Sequence, residues 1–175
     1  NYKPKYVVGN TYHKLAQTEN AANAFGPWNP AEFTVEDSAF GFIVMENGAT
    51  IYLESSWALN SLDVGEAQTT LHGTNGGADM KDGLRINGEA DGMMYDKTMV
   101  LEPGGVDFYD GSGDDPAYLE AKQWIESIQN DTEPVVSPEQ ALVVTQILEA
   151  IYQSAKTGAP VYINQHKEEL GKILV

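Results

Sequence analysis

The chain has 175 residues and a formal net charge of −16, from 26 acidic and 10 basic side chains. This excess of negative charge opposes binding to nucleic-acid phosphates and to anionic membranes, so we expect neither as a partner. The chain has no cysteine, which excludes disulfides and thiolate metal sites and fits a reducing compartment, so we expect a cytoplasmic protein. A chain of this length buries a sizeable core, and we expect one domain over residues 1–175.

The first predicted element is a strand, followed by a long connection. "KYVVGNTYHKL" alternates side chains with the period of a strand. The polar connection over residues 16–37 is punctuated by proline and glycine, and long ordered loops are often functional. Within it, Trp28 lies between two prolines, which restrict the backbone and present the indole ring to a ligand at low ordering cost. The alternative interpretation is that Trp28 only packs against the end of the sheet.

A hairpin is predicted over residues 39–57, "AFGFIVMENGATIYLESSW". Asn47-Gly48 between apolar runs predicts a two-residue type I′ turn, which sets the pairing of the two strands. In that register one face is apolar throughout and is predicted to be core: Phe40, Phe42, Val44, Ile51 and Leu53. The opposite face is half polar, and we expect it to stay uncovered by helices: Ile43, Met45, Thr50, Tyr52 and Glu54.

Short strands and then two helices follow. We expect a strand at residues 69–72 leading into a turn at Gly76-Gly77, and short strands near residues 84–86 and 99–101. One helix is predicted after Asp115 as N-cap, and a second between Ser137, which forms a capping box with Gln140, and Gly158. The apolar stripe predicted for the second helix is Val144, Leu148, Ile151 and Ala155.

The order of these elements predicts the fold class. After the second helix, "PVYIN" has the pattern of a last short strand. Strands grouped before helices predict an α+β fold, a mainly antiparallel or mixed open-faced sheet with helices packed on one face.

Motifs for catalysis, cofactors and metals are lacking. The sequence has neither G-x-G-x-x-G nor a P-loop, and "DFYDGSGDD" lacks the order of a calcium loop, so we interpret it as an acidic turn. The three histidines, His13, His72 and His166, are in no ligand spacing. Glu36 and Asp37 are adjacent on a predicted strand and point to opposite faces, so they do not converge by themselves. We assign no catalytic, cofactor-binding or metal-binding residue.

Three sequence blocks nevertheless carry a resemblance to a known family. They contain Glu36-Asp37, Asn47-Gly48-Ala49 and Ser56-Trp57, then "GTNGG" at residues 73–77, then "SAKTG" at residues 154–158. In this order, over residues 33–163, the chain resembles the C-terminal domain of the Gfo/Idh/MocA family, the NAD(P)-dependent oxidoreductases related to glucose-fructose oxidoreductase and inositol dehydrogenase.

The resemblance implies a function shared with another domain. It places the NAD or NADP site, and the catalytic lysine and histidine, in a Rossmann domain ahead of Asn1. This chain alone is therefore expected to be inactive and to bind no dinucleotide. The resemblance also implies that the open sheet face packs against another subunit, in a homo-oligomer. The prediction is a substrate-binding and oligomerisation domain of an NAD(P)-dependent sugar or polyol dehydrogenase. Two alternatives remain, a non-catalytic carbohydrate-binding module and a purely structural dimerisation domain.

The predicted substrate site lies at the end of the sheet away from the Asn47-Gly48 turn. The ladder brings the loop that holds Trp28 close to the segment after the second hairpin strand. Aromatic rings beside amide and carboxylate groups suit a sugar or polyol. The predicted substrate-binding residues are Trp28, Asn29, Asp37, Trp57 and Asn60. The alternatives are that Asp37 caps the start of its strand or forms a salt bridge there, and that Trp57 packs in the core.

Overall fold

The computed structural model describes residues 2–19, 28–60, 62, 68–81, 83–99 and 116–163. Within these residues the strands are β1 (Pro4–Tyr12), β2 (Ser38–Met45), β3 (Thr50–Ser56), β4 (Thr70–His72), β5 (Gly76–Asp79), β6 (Leu84–Ala90), β7 (Met93–Met99) and β8 (Val161–Tyr162). The helices are α1 (Pro116–Asn130) and α2 (Pro138–Thr157), with a single 3₁₀ turn at Pro30–Glu32. The predicted α+β class is confirmed.

The strands form two four-stranded sheets instead of the one sheet expected. One has the order β3-β2-β1-β8 and the other β4-β5-β6-β7. They belong to two compact units, Asn1–Ser61 with Val136–Val175, and Leu62–Val135. We call the first sheet A and the second sheet B. The assignment of the whole chain to one domain stays a prediction.

Sheet A is antiparallel and is covered on one face by α2. The buried apolar side chains that form this core are Val7, Ile43, Met45, Ala150, Ile151 and Val161. The ends of α2 are as predicted. Ser137 and Gln140 form a capping box, and Gly158 adopts the left-handed conformation that ends the helix.

The stripe predicted for α2 is partly wrong. Val144 and Leu148 are exposed, whereas the buried positions are Ala150, Ile151 and Ser154. Apolar residues occur around most of the helix circumference, so several stripes fit the helical period. The shape of the sheet beneath decides between them.

Two glycines set how closely α2 approaches the sheet. Gly9 and Gly41 are direct neighbours on β1 and β2. A Cβ on Gly9 would lie 2.8 Å from Ile151 Cγ2, and one on Gly41 would lie 2.7 Å from Ile151 Cδ1. Strand β8 pairs with β1 only at Tyr6 and Val7, so it does not reach Gly9. The backbone N–H of Gly9 donates to Ser154 Oγ at 3.0 Å. The glycine pair therefore forms the seat on which Ile151 and Ser154 rest.

The predicted type I′ turn of the first hairpin is wrong. The loop has three residues, because the Met45 N–H donates to Ala49 O and the Gly48 N–H donates to Met45 O, with Gly48 at φ +86°. This matches the hairpin in which a type I turn is followed by a left-handed glycine. The pairing shifts by one residue, so Ile43 faces Ile51 and Phe42 faces Tyr52.

The assignment of the two faces of β2 is also corrected. Ile43 is 1% and Met45 5% exposed, and both belong to the core with α2. The face away from α2 carries Phe40, Phe42 and Val44 together with Thr50, Tyr52 and Glu54. The pattern of β2 did not distinguish its faces because both are apolar. The glycine seat for α2 lies on the Ile43 side, and that side is covered.

Sheet B is a meander of antiparallel strands. Its first turn lies at residues 73–75, and Gly76 and Gly77 are already in β5, so the predicted turn position is wrong. Asp91 and Gly92 both have positive φ and join β6 directly to β7, which is the two-residue turn that Asp-Gly favours. Strand β7 therefore lies earlier than the strand predicted near residues 99–101.

Some features lie outside the described residues. They are Asp115, the "DFYDGSGDD" segment and His166. The helices in the described ranges include none with the length and hydropathy needed to cross a membrane.

Candidate functional site: an aromatic cluster at the end of sheet A

Three aromatic rings meet at the end of sheet A away from the hairpin turn. The rings of Trp28 and Trp57 are in edge contact with centroids 4.9 Å apart, and Phe33 stacks on Trp57 at 4.3 Å. The 3₁₀ turn at Pro30–Glu32 reverses the chain between Trp28 and Phe33. We call these three residues the aromatic cluster. The loop and the end of β3 meet, as the ladder predicted.

The nitrogen atoms of both indoles are held by backbone carbonyls. Trp28 Nε1 donates to Ala16 O at 2.9 Å, and Trp57 Nε1 donates to Glu36 O at 2.8 Å. Trp57 contacts both of the other rings and is therefore the centre of the cluster. Trp28 and Trp57 are both half-buried.

The Asp37 carboxylate accepts hydrogen bonds from neighbouring groups of the chain. Its Oδ2 accepts from the N–H groups of Leu15 at 2.7 Å and Ala16 at 3.1 Å, and its Oδ1 accepts from Ser38 Oγ at 2.8 Å. The residue is 2% exposed. The prediction that Asp37 contacts substrate is therefore corrected to the alternative, in which its carboxylate caps the chain at the start of β2.

The pKa of the Asp37 carboxyl is lowered from its ordinary value. Burial raises this pKa, but the hydrogen bonds from Ala16, Ser38 and Leu15, with the nearby His13, outweigh it. Donors that bond a carboxylate favour its charged form. Asp37 is therefore ionised at neutral pH.

Glu36 joins this end of the sheet to α2. The hydroxyl group of Tyr152 donates to Glu36 Oε1 across 116 residues of sequence. This hydrogen bond, followed by burial and the negative charge of Glu36, raises the pKa of Tyr152. At this end of sheet A, Glu36 is thus bonded to α2 and Asp37 to the turn after β1.

The two predicted asparagines have different surroundings. Asn29 Oδ1 accepts from the Ala31 N–H at 3.1 Å and caps the 3₁₀ turn. Asn60 is exposed after β3, and its side chain has no hydrogen bond to another described residue. The structure therefore brings together Trp28, Trp57 and the backbone of Asp37, and it uses the Asn29 side chain locally.

Sequence reasoning missed Phe33 and Tyr152. Asn29-Pro30 is the N-cap and first position of a helical turn, so this pair was a signal that the chain reverses between Trp28 and Phe33. For Tyr152 there was no local signal, because its partner Glu36 is far away in the sequence.

Sheet B has a separate concave surface of about 880 Å³. His72 and the ion pair of Asp79 with Arg85 line it. The hydrogen bond from the Arg85 side chain is the largest cause that lowers the pKa of the Asp79 carboxyl. Burial of this carboxyl raises its pKa, but the lowering causes outweigh it. The surface contains none of the substrate-binding residues predicted from the sequence.

The described residues contain no turn of the kind that holds a dinucleotide pyrophosphate. The glycines of residues 73–77 lie in and beside the β4–β5 hairpin, and every strand pairing in the two sheets is antiparallel. A dinucleotide pyrophosphate is held by a glycine-rich turn from a parallel strand into a helix. We therefore assign no cofactor contact to these residues.

Comparisons with known proteins agree with the fold. The model of the oxidoreductase family GFO_IDH_MocA_C, described as its C-terminal alpha/beta domain, matches residues 3–163. D-glucoside 3-dehydrogenase of Escherichia coli (strain K12) is 29% identical over 161 residues, which are 90% of this chain and 42% of that protein. The chain thus spans less than half the length of this curated relative.

Solved structures show the same fold at low identity. An oxidoreductase from Agrobacterium radiobacter, in complex with NAD+, L-tartaric acid and magnesium, has a TM-score of 0.63 and 18% identity over 94% of this chain and 44% of its own. An aldose-aldose oxidoreductase from Caulobacter crescentus complexed with glycerol has a TM-score of 0.57 and 19% identity, over 91% and 41%. Since the family model covers most of the sequence, the chain belongs to the Gfo/Idh/MocA oxidoreductase family, whose C-terminal α/β domain it contains.

Proposed function

We propose that this chain is the substrate-binding and oligomerisation domain of an NAD(P)-dependent sugar or polyol dehydrogenase. The observation that carries the proposal is the aromatic cluster, in which Trp28 is held by Ala16 and Trp57 and is only half-buried. Its relative from Escherichia coli is named a dehydrogenase of a D-glucoside, which supports a carbohydrate as substrate.

The chemistry of a fixed indole suits such a ligand. The C–H groups on one face of a sugar ring are apolar and pack on an aromatic plane, whereas the hydroxyl groups at its edge take hydrogen bonds. Because Trp28 is already ordered by its hydrogen bond, binding costs little side-chain entropy. We propose Asn60, which is exposed at the end of β3, as a hydrogen-bonding group in the same region.

NAD or NADP belongs to another part of the whole protein in this proposal. The described residues contain no glycine-rich turn from a parallel strand into a helix, and the match covers 42% of the curated relative. The chain alone is accordingly expected to form no NADH and to show no dinucleotide binding by calorimetry. Formation of NADH by the chain alone would contradict this division of roles.

The test of the substrate site uses the full-length protein and two tryptophan variants. Trp28→Ala should lower kcat/KM for the sugar or polyol substrate, with a loss of transition-state stabilisation of about 1–3 kcal/mol. The affinity for the dinucleotide should be unchanged. The matched control is Trp124→Ala, on α1 in the other compact unit, which should leave kcat/KM unchanged.

Asn60→Ala is expected to lower kcat/KM by about the same amount through a lost hydrogen bond. If both Trp28→Ala and Asn60→Ala keep wild-type kinetics, this substrate site is wrong. Glycan binding by the chain that depends on Trp28, in a whole protein without dehydrogenase activity, would instead favour a carbohydrate-binding module.

The oligomerisation part of the proposal rests on the face of sheet A away from α2. We call this the open face, and it carries Tyr6, Val8, Tyr12, Phe40, Phe42, Val44, Thr50, Tyr52, Glu54 and Tyr162. Aromatic residues are enriched in the centres of protein interfaces. Thr50, Tyr52 and Glu54 remain in the proposed interface, whereas Ile43 and Met45 are removed from it because they are buried beneath α2.

A further inference from the structure

We propose that Asp37 is a positioning residue, which orients the half-buried indole of Trp28 through the peptide groups of Ala16. The role of Trp28 towards a ligand rests on the proposed function, but the orientation of its ring by Asp37 does not. The specificity of the site for a flat sugar face then depends on a carboxylate that never touches the sugar.

The connection consists of two hydrogen bonds on one residue. The Ala16 N–H donates to Asp37 Oδ2 at 3.1 Å, and the Ala16 carbonyl accepts from Trp28 Nε1 at 2.9 Å. The neighbouring Leu15 N–H donates to the same oxygen at 2.7 Å. These two bonds orient the start of a turn that the Thr18 N–H closes by donating to Leu15 O at 2.9 Å. The Ala16 carbonyl lies within this turn, so the turn sets its direction.

A second set of bonds ties the other half of the cluster to the same dipeptide. The Trp57 N–H donates to Asp37 O at 3.1 Å, and Ser56 Oγ donates to that carbonyl at 3.0 Å. Trp57 Nε1 donates to Glu36 O. Trp57 is bonded to residues 36 and 37 directly, and Trp28 is linked to Asp37 through Ala16. These bonds explain how the two rings keep an edge contact although they are 29 positions apart in sequence.

Burial and bonding separate this role from direct contact with a ligand. Both carboxylate oxygens of Asp37 accept from groups of the chain, and Asp37 and Ala16 are 2% and 1% exposed. Charge-assisted bonds from N–H groups to a carboxylate are about twice as strong as neutral ones. The carboxylate thus acts through the turn at Leu15-Ala16 and through Trp28.

The first experiment measures the indole directly. In the ¹⁵N-labelled chain the three tryptophans each give one indole N–H signal. Asp37→Ala should move the Trp28 signal towards that of a free indole and speed its hydrogen exchange at least tenfold, with the Trp124 signal unchanged. Asp37→Asn should keep the Trp28 signal close to wild type, because its amide oxygen accepts the same two N–H groups.

The second experiment measures binding in the full-length protein. Asp37→Ala should raise KM for the substrate about as much as Trp28→Ala does, with a smaller effect on kcat, and Asp37→Asn should restore KM. In the Trp28→Ala background, Asp37→Ala should raise KM no further, because it acts through the ring that is absent. If Asp37→Ala does not fold, Asp37→Ser, too short to bond both N–H groups, replaces it.

The outcomes distinguish the two proposals. An unchanged Trp28 indole signal in folded Asp37→Ala or Asp37→Ser would overturn the positioning role. So would equal KM increases from the Asp37 variant in the presence and absence of Trp28. A displaced Trp28 signal with an unchanged KM would support the positioning and contradict the substrate-binding role of Trp28.

Discussion

Asp37 illustrates how one buried carboxylate depends on groups distant in sequence. Its two N–H donors lie 21 and 22 residues earlier in the chain. The sequence identified the residue and the end of the sheet on which it lies. It did not reveal these donors, because the Leu15-Ala16 turn has no motif of its own. Without them, a carboxylate beside two tryptophans resembles a ligand group.

At this scale we predict a specific dependence of stability on pH. The pKa of Asp37 is lower in the folded chain than its ordinary value of 3.8. Such a group contributes stability that is fully present above the unfolded pKa and is lost as the pH falls through the folded pKa. Urea unfolding of the chain should show the free energy of unfolding decreasing as the pH falls from just above 3.8.

The control for this prediction is Asp37→Asn, which has no charge to lose at residue 37. Its free energy of unfolding should fall less steeply over the same pH range. Asp37→Ala should cost about 3 kcal/mol at neutral pH, because it leaves buried N–H groups without an acceptor. If the free energy of unfolding of Asp37→Asn falls with pH just as that of wild type does, Asp37 does not contribute to acid unfolding.

Helix α2 and sheet A are matched through the glycine seat. The helix ends were predictable because caps are local motifs, but the face that packs was not. Ile151 reaches both glycines with different atoms, Cγ2 towards Gly9 and Cδ1 towards Gly41. This difference allows the contact between helix and sheet to be tested atom by atom.

We predict that Gly41→Ala destabilises the chain by about 1–3 kcal/mol through overpacking against Ile151. Ile151→Val, which alone costs about 0.5–1.5 kcal/mol, should partly rescue Gly41→Ala because it removes Cδ1. The measurement is a double-mutant cycle of urea unfolding.

Gly9→Ala is the matched control for this cycle. Its added methyl meets Ile151 Cγ2, which valine retains, and Phe40 O at 2.9 Å, which is backbone. Ile151→Val should therefore give no rescue of Gly9→Ala. Equal rescue of both glycine variants would mean that α2 is not seated on the two glycines as described.

The two Xaa-Gly dipeptides lie in hairpin loops of different length. Asn47-Gly48 lies in a three-residue loop, whereas Asp91-Gly92 forms a two-residue turn. The dipeptide marks a hairpin in both cases. The dipeptide does not set the loop length, which differs between the two hairpins.

At the scale of the whole molecule, the open face is the interface that we propose with a second copy of the chain. Phe42 and Tyr52 are in edge contact there at 5.1 Å, and Tyr52 is 81% exposed. A stable interface buries about 1,200 Å² or more in total. Because each chain carries a net charge of −16, added salt should strengthen the association by screening repulsion between copies.

We predict that the chain self-associates and that Tyr52→Glu weakens association by about 2 kcal/mol or more, roughly 30-fold in Kd. The substitution places a charge in the apolar part of the face. Sedimentation velocity over a concentration series measures the effect. Tyr118→Glu, which makes the same substitution on α1, should leave the association unchanged, and a wild-type chain that sediments as a monomer at high concentration would exclude this interface.

The sequence by itself determined the α+β class, both ends of α2, the final strand, and the tryptophans that meet at the end of sheet A. These depend on local patterns, on capping residues and on the antiparallel order of a hairpin. Tertiary structure alone decided which face of β2 is covered, because Phe40, Phe42 and Val44 are as apolar as Ile43 and Met45. It also decided the role of Asp37, since both N–H donors to its carboxylate come from another segment of the chain. Where a strand is apolar on both faces, only the shape of its packing partner, here Ile151 resting on Gly9 and Gly41, distinguishes core from surface.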